Sequence, residues 1–494
     1  MESPCSPDWS AVLTLSAPAR TFFVPIAPLF PVPFPAMKAH EPLSGADAAW
    51  LRMDDPTNLM TITSVLVLGD RMDIATFKEL IEERLLGFLR FRQRVRDTNG
   101  TPHWELDPNF DLDQHVRRSA LPGEADRAEL EERVSALMSQ PLDRAKPLWD
   151  MELIEDYQGG SAIIARIHHC IGDGIALVQV LLSLTDEHFD PERIPGESTD
   201  SDSFLPGALR GAWKTLKGAA DTGQRLLAEG TESLLNPSHA FHRAKQGMSL
   251  GAALSKLALL GSDSDTVFKG DLKVAQKATW SDPVDLATIK RMAEPLDAKV
   301  NDILLAAVAG ALRHYLHQHD EPTEEVRVRA LLPVNLRPME QAFELGNRFG
   351  LVYLDFPVGL DDRIERVLNV QEQMGEIKCS SEAVAAFGVL ETLGHFPAEL
   401  EAQAVQLFSS KASVVMTNVP GPQEQLHMKD CRVQTVMPWV PRAGRIGMGI
   451  SVFSYNGDVR LGIACDAHLV PDPDALVEGF EREFEKLADE LLSE

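Results

Sequence analysis

The segment ARIHHCIGDGIAL (165–177) gathers side chains that can move protons. Two adjacent imidazoles, His168 and His169, end a β-branched run, and Asp173 follows between Gly172 and Gly174. On a strand, successive side chains point to opposite faces, so one of the two rings is free to face a channel. An imidazole suits general-base work near neutral pH. The carboxylate of Asp173 can fix that ring, or brace the loop by pairing with a distant Arg. For a lone His a satisfied core role is the default, and the HH-then-DG spacing weakens that default. Zinc fits poorly, because neighbouring strand residues cannot converge on one ion. A Cys170 nucleophile fits poorly too, because its neighbour His169 diverges from it, and Cys170 reads as filler. The one GxSxG match, GMSLG (247–251), follows no β-rich run and so reads as no nucleophile elbow, which argues against a serine acyl-enzyme and for direct transfer between two bound substrates.

Such a site needs a strand, a tight turn and a helix, and the flanking sequence offers them. WDMELIED (149–156) and SAIIARIHH (161–169) read as a hairpin around Gln158-Gly159-Gly160, with GIALVQVLLSLTDEHF (174–189) as the helix. Upstream, Ser44 caps a short helix containing Trp50, 59–70 is a strand, and 74–90 and 124–139 are amphipathic helices. Downstream, Asp282-Pro283 opens a helix, and an apolar helix runs over 300–318 from an Asn301/Asp302 start. Strands follow at 326–337, 349–358, 412–422 and 446–467, the last folded at Asn456-Gly457-Asp458, and a helix closes the chain at 473–493. Strands and helices mix without a strict βαβ rhythm, which predicts an α/β protein with a mixed sheet in each of two domains.

The chain has 494 residues and a net charge of −27, which disfavours a nucleic-acid partner. Its cysteines, Cys5, Cys170, Cys379, Cys431 and Cys465, form no CxxC pair and suit a reducing compartment. Residues 1–40 are expected to be a Pro-rich extension without fixed structure, with Met37 as a candidate start and an adhesive tail on lipid as the alternative. Six prolines between Pro18 and Pro35 prevent a spanning helix there, and no basic n-region of a signal peptide precedes them. The predicted division continues with a first domain over 41–190, a linker over 191–270 and a second domain over 271–494. Within the linker, residues 204–256 hold seven basic side chains, among them Arg210, Lys214 and Lys217, against three acidic ones. That basic amphipathic stretch either packs on protein or lies on an anionic membrane.

HHCIGDG matches the HHxxxDG motif of the superfamily that includes chloramphenicol acetyltransferase, peptide-synthetase condensation domains and bacterial wax ester synthase/diacylglycerol acyltransferases. The rest of the chain resembles the last group. LSGADAAWLRMDDPTNLM (43–60), KPLWDMELIE (146–155), KVNDILLAA (299–307), PVNLRP (333–338), LGNRFGLVYLDFPV (345–358), TNVPGP (417–422) and LGIACDAHLVPD (461–472) are similar to its blocks in order and spacing. Thr417 and Asn335 stand where the family more often has Ser, and residues 1–36 have no counterpart.

The resemblance implies two chloramphenicol acetyltransferase-like domains with an active-site tunnel between them. It implies transfer of a fatty acyl group from acyl-CoA, a cosubstrate, to a long-chain alcohol or diacylglycerol, with no metal or resident cofactor. His169 would be the general base and His168 a structural or substrate-shaping neighbour, while Asp173 would hold the loop. Asn301 would approach the oxyanion or a substrate, or would simply cap its helix, the two readings weighing equally. Gly174, Pro147, Trp149, Asp302 and Asn418 would border substrate, with packing favoured for Trp149 and a turn for Asn418. The family's lipid substrates imply a cytoplasmic enzyme held peripherally on the inner membrane or a lipid droplet. Two other readings compete: a condensation-type enzyme fed by a carrier protein, and a non-catalytic lipid-binding relative.

Overall fold

The computed structural model describes residues 41–188, 259–337, 345–380, 382–393 and 398–493. The expected extension at 1–40 and the basic stretch at 204–256 lie outside them. The chain opens with β1 (Glu41–Pro42), α1 (Gly45–Arg52), β2 (Thr61–Leu68) and α2 (Ile74–Leu80). It continues through β3 (Gln93–Thr98), β4 (Thr101–Leu106), β5 (Val116–Ser119), α3 (Arg127–Met138), β6 (Trp149–Tyr157), β7 (Gly160–His168) and α4 (Gly174–Ser183). The β6–β7 turn carries positive φ at Gln158 and Gly159, the geometry of a tight hairpin. Beyond the linker come β8 (Gln276–Trp280), β9 (Val284–Asp285), α5 (Leu286–Ala293), α6 (Val300–Gln318), β10 (Val328–Asn335), β11 (Phe349–Phe356) and α7 (Arg363–Cys379). The chain closes with α8 (Glu382–Leu393), α9 (Ala398–Ser409), β12 (Val414–Pro420), β13 (His427–Met428), β14 (Cys431–Trp439), β15 (Met448–Tyr455), β16 (Asp458–Asp466) and α10 (Pro473–Leu492).

Two mixed sheets carry the two lobes. The first has the order β13-β14-β2-β7-β6-β5, and the second β11-β10-β12-β15-β16-β8 with β9 beside β16. A small third sheet, β1-β4-β3, flanks the first lobe. The expected second domain over 271–494 is not self-contained. Its β14 pairs antiparallel with β2, from Val433↔Leu68 to Trp439↔Thr63, and so completes the first sheet. The first lobe's core accordingly includes Leu426, Met428, Val433 and Val436 beside Ile62, Leu66 and Ile163.

Two helix starts differ from the sequence reading. Asp285, not Asp282, caps α5, accepting from Thr288 N at 2.7 Å. α6 begins at Val300 with Lys299 as its N-cap residue, and Asp302 reaches back to Lys299 N at 2.9 Å. Residues Asp302 to Leu312 of α6 are all buried, which explains a helix that is apolar on every side.

The lobes are strapped together away from the sheets. Glu391 on α8 accepts Gly45 N at 3.2 Å and Ala46 N at 2.8 Å, occupying the otherwise unpaired first turn of α1. Arg52, at the other end of α1, pairs with Glu401 on α9 at 3.3 Å. Trp439, 1% exposed, sets its ring edge-on to Trp280 of the second sheet at 5.6 Å. Because one side chain packs against both sheets, Trp439→Ala is expected to lower stability by about 3–5 kcal/mol. Urea denaturation should show a single transition shifted to lower midpoint; separate unfolding of two lobes would contradict this packing.

Candidate active site

β7 delivers the two histidines. His168 is its last residue and pairs with Thr61, and the next amide, His169 N, donates to Met60 O at 2.8 Å. The chain then turns into α4, whose N-cap is Asp173. One carboxylate oxygen accepts Ala176 N at 3.0 Å. The other accepts Arg337 Nη2 at 2.8 Å and Arg348 N at 3.0 Å. Gly346 N donates to Ile171 O at 3.0 Å, Asp173 N to Gly346 O at 3.3 Å, and Gly172 and Gly346 form a parallel bridge. Thus the motif turn is stapled to residues 345–348 of the second lobe. Gly346 has φ +104°, a conformation that disfavours any side chain, and a Cβ there would meet the Asp47 carboxylate at 3.5 Å.

His169 is 6% exposed and stacks on Trp50, with centroids 4.2 Å apart and planes 16° from parallel. Phe349 packs beside it at 5.6 Å. Burial pushes its imidazole down to about 4, against the charge of Asp173, which pulls the other way. The ring is therefore neutral at physiological pH. Asn347 donates through Nδ2 to His169 O at 2.8 Å, and Asp47 Oδ1 accepts from Asn347 N at 3.0 Å and Nδ2 at 2.8 Å. Asn347 was not singled out in the sequence. It lies inside the LGNRFGLVYLDFPV block, and nothing local distinguishes it from the polar residue of a turn.

His168 turns away from the cavity. Its Nδ1 accepts Cys170 N at 3.1 Å, and its Nε2 lies 3.8 Å from Asp54. Burial acts to raise the Asp54 carboxyl, but the nearby His168 ring, with hydrogen bonds from Arg144 at 2.9 Å and Met60 N at 2.8 Å, holds it down at about 2. Burial raises the Cys170 thiol well above its ordinary range, so it is not a thiolate nucleophile.

A cavity of about 320 Å³ runs between the lobes, with His169, Asp173 and Gly174 on its wall. Its first-lobe wall is one face of the sheet, Ile62, Ser64 and Leu66 on β2 and Ile163, Ala165 and Ile167 on β7. From His169 to Ile163 this face extends about 20 Å, at roughly 3.3 Å per strand residue. The second-lobe wall uses Leu331, Pro333 and Asn335 on β10, Leu351 and Tyr353 on β11 and Val415 and Thr417 on β12. Tyr353 OH, on that wall, donates to Phe408 O at 3.0 Å, and Ser451 Oγ accepts Val440 N at 3.2 Å, so these two polar groups are taken up by protein. Both walls present mostly carbon.

The other expected site residues divide. Asn418 lines the cavity, and its Nδ2 donates to Asn301 Oδ1 at 2.8 Å, so Asn301 stands one contact behind the wall, on α6 but not as its cap. The remaining three do not line the cavity, and Trp149 takes the packing role favoured for it. Asp302 is buried within the α6 start, not on the wall. Trp149 is 1% exposed, stacks on His115 at 4.6 Å and donates to Phe91 O at 2.8 Å, so it braces the sheet from within. Pro147 is buried beside it and likewise lies off the wall. Among the described residues no group of three His, Cys, Asp or Glu could hold a metal.

The arrangement of two mixed-sheet lobes is a fold shared with a condensation domain and a wax ester synthase/diacylglycerol acyltransferase. The wax ester synthase/diacylglycerol acyltransferase from Marinobacter aquaeolei VT8 superposes with a TM-score of 0.63 at 20% identity, covering 90% of this chain and 98% of that one. The first condensation domain of the CDA synthetase gives 0.58 at 15% identity, covering 92% and 96%. Residues 43–304 match the wax ester synthase/diacylglycerol acyltransferase catalytic domain and residues 345–488 the WS/DGAT C-terminal domain, so the chain belongs to the wax ester synthase/diacylglycerol acyltransferase family. A probable diacylglycerol O-acyltransferase of Mycobacterium tuberculosis is 28% identical over 450 residues, covering 89% of this chain and 94% of its own. A putative one from the same organism is 27% identical over 475 residues, covering 92% and 91%.

Asp173→Ala takes the carboxylate from a buried guanidinium, and breaking such a pair is expected to cost about 3–5 kcal/mol. The double variant Asp173→Leu/Arg337→Met, which removes both charges, should recover most of that loss in chemical denaturation. A double variant as unstable as the single one would contradict the pairing.

Proposed function

We propose that this chain is an acyl-CoA-dependent O-acyltransferase that makes wax ester or triacylglycerol, with His169 as general base. Family membership supports the reaction class. The observation that carries the residue assignment is a buried imidazole on the wall of an apolar cavity lined by both lobes. His169 Nε2 takes the acceptor hydroxyl proton as its oxygen attacks the thioester carbonyl. The tetrahedral intermediate then expels CoA thiolate as the C–S bond breaks, and the imidazolium returns the proton to that sulfur. No protein group is acylated, and the site needs no metal for these steps. The apolar walls of the cavity suit long acyl and alcohol chains, since each buried methylene contributes about 0.8 kcal/mol to affinity. Peripheral contact with a lipid surface belongs to the same proposal, resting on the basic sequence at 204–256. Among the described residues no helix is long and apolar enough to cross a membrane.

Radiolabelled palmitoyl-CoA offered with hexadecanol or with dioleoylglycerol, and products separated by thin-layer chromatography, tests the reaction and ranks the acceptors. His169→Ala should lower the rate about 10²–10⁴-fold with the fold intact. Because the base acts unprotonated, kcat/KM of the wild type should fall only as pH drops through the region near 4, rather than near the 6.5 of a free imidazole. Undiminished product formation by His169→Ala would refute the assignment. A transfer seen only with acyl-carrier protein as donor would favour condensation-type chemistry instead.

Ala165 is on the cavity wall, midway along the β7 face. Ala165→Phe should block long-chain substrates at that level and spare short ones. Measured on an acyl-CoA length series and an alcohol length series, kcat/KM should collapse for the long members of one series only. Equal loss for all lengths of both would contradict an arm that holds one chain.

A further inference from the structure

Two buried polar atoms beside the base have no hydrogen-bond partner: His169 Nδ1 and Asn347 Oδ1. Asn347 is 4% exposed, and the rest of its side chain is committed. The two Nδ2 hydrogens go to Asp47 Oδ1 and His169 O, each at 2.8 Å. Flipping the amide would turn its oxygen onto a carboxylate and a carbonyl, both acceptors, so the orientation is fixed by the network. The amide oxygen is thereby left free to accept near a ring nitrogen whose other nearby acceptor, the carbonyl of His169 itself, already takes a hydrogen bond from Asn347 Nδ2. Catalytic hydrogen bonds are commonly long in empty sites and tighten when substrate fills them. The Asp173 charge, hydrogen bonding to the backbone of His169 itself and then hydrogen bonding with Asn347 hold the His169 pKa up against burial.

We infer that Asn347 is the positioning residue of the base: its Oδ1 accepts the Nδ1 proton of His169, which selects the tautomer whose Nε2 lone pair is free for the acceptor hydroxyl. This rests on the reading of His169 as base. Asp47 acts one step further back, gripping Asn347 by backbone and side chain. Asp173, whose two oxygens are occupied by Ala176 N, Arg337 and Arg348 N, holds the turn instead of the ring. During transfer the Nδ1 proton stays in place while Nε2 gains and then loses one. The neutral amide stabilises the transient imidazolium without adding a second negative charge next to Asp47.

Asn347→Leu preserves approximate volume and removes both polar atoms. The expected result is a fall in kcat of about 10²-fold, inside the range of general-base assistance itself, with KM unchanged. ¹⁵N-histidine NMR, with the His169 signal identified by its loss in His169→Gln, should show Nδ1–H in the wild type and a shift towards Nε2–H in the variant. Should the buried Asp47 carboxylate prevent Asn347→Leu from folding, Asp47→Leu/Asn347→Leu removes the charge with its donor and is read the same way. A wild-type ring protonated at Nε2, or a tautomer unchanged in the folded variant, overturns the inference. If the wild type transfers acyl groups to no hydroxyl acceptor, the base reading falls instead, and the tautomer measurement reports the Asn347 contact by itself.

Discussion

The junction between the motif turn and residues 345–348 is the constraint on which the site depends. Asp173 is at once the N-cap of α4 and the partner of Arg337, with the backbone of Arg348 on the same oxygen. Buried ion pairs contribute little net stability relative to an apolar replacement, because desolvation offsets their attraction. What this one supplies is geometry. It forces the end of β7, the start of α4 and the approach to β11 to meet at one point. The imidazole of His169, the stacking face of Trp50 and the ring of Phe349 come from three separate elements and are brought together there.

Burial then sets the chemistry. A solvent-exposed imidazole would be partly protonated near neutral pH, whereas His169 is kept neutral. The same desolvation makes the imidazolium formed during transfer expensive, so groups that favour it matter in proportion. The Asp173 charge and the Asn347 amide act in that direction. The apolar walls take the complementary part: they bind chains by area, and they leave few polar groups that could compete for the reacting atoms.

Local sequence made several of these features legible. Strand alternation separates His168 from His169, and the structure turns the first towards Asp54 and the second into the cavity. The hairpin at Gln158-Gly159, the capping role of Ser44 and the mixed α/β class follow from turn chemistry and periodicity. What stayed hidden was set by contacts distant in sequence. Nothing in CRVQTVMPW announces that β14 leaves its own lobe to pair with β2, and the helices between Arg363 and Ser409 were not anticipated. Trp149 and Asp302 belong to blocks shared with the family, yet Trp149, on the same sheet face as Ile167, packs against His115 and Phe91 beyond the edge of the cavity, and Asp302 folds back onto the α6 start, distinctions that require knowing how far the void reaches. Asn347 was invisible for the same reason, since its partners Asp47 and His169 are remote in the chain.

The central claim is spatial: a thioester and a hydroxyl meet at Nε2 of His169, with one long chain lying along the β2–β7 face. A crystal structure with hexadecyl-CoA, a thioether that cannot transfer its chain, tests this most directly. The account expects the sulfur beside His169, with the methylene bonded to it, which stands in for the carbonyl carbon, within about 3–3.5 Å of the position an attacking oxygen would occupy, and the alkyl chain running past Ile167 and Ala165 or along the opposite wall. Alkyl density elsewhere on the protein, with the cavity beside His169 empty, would contradict it.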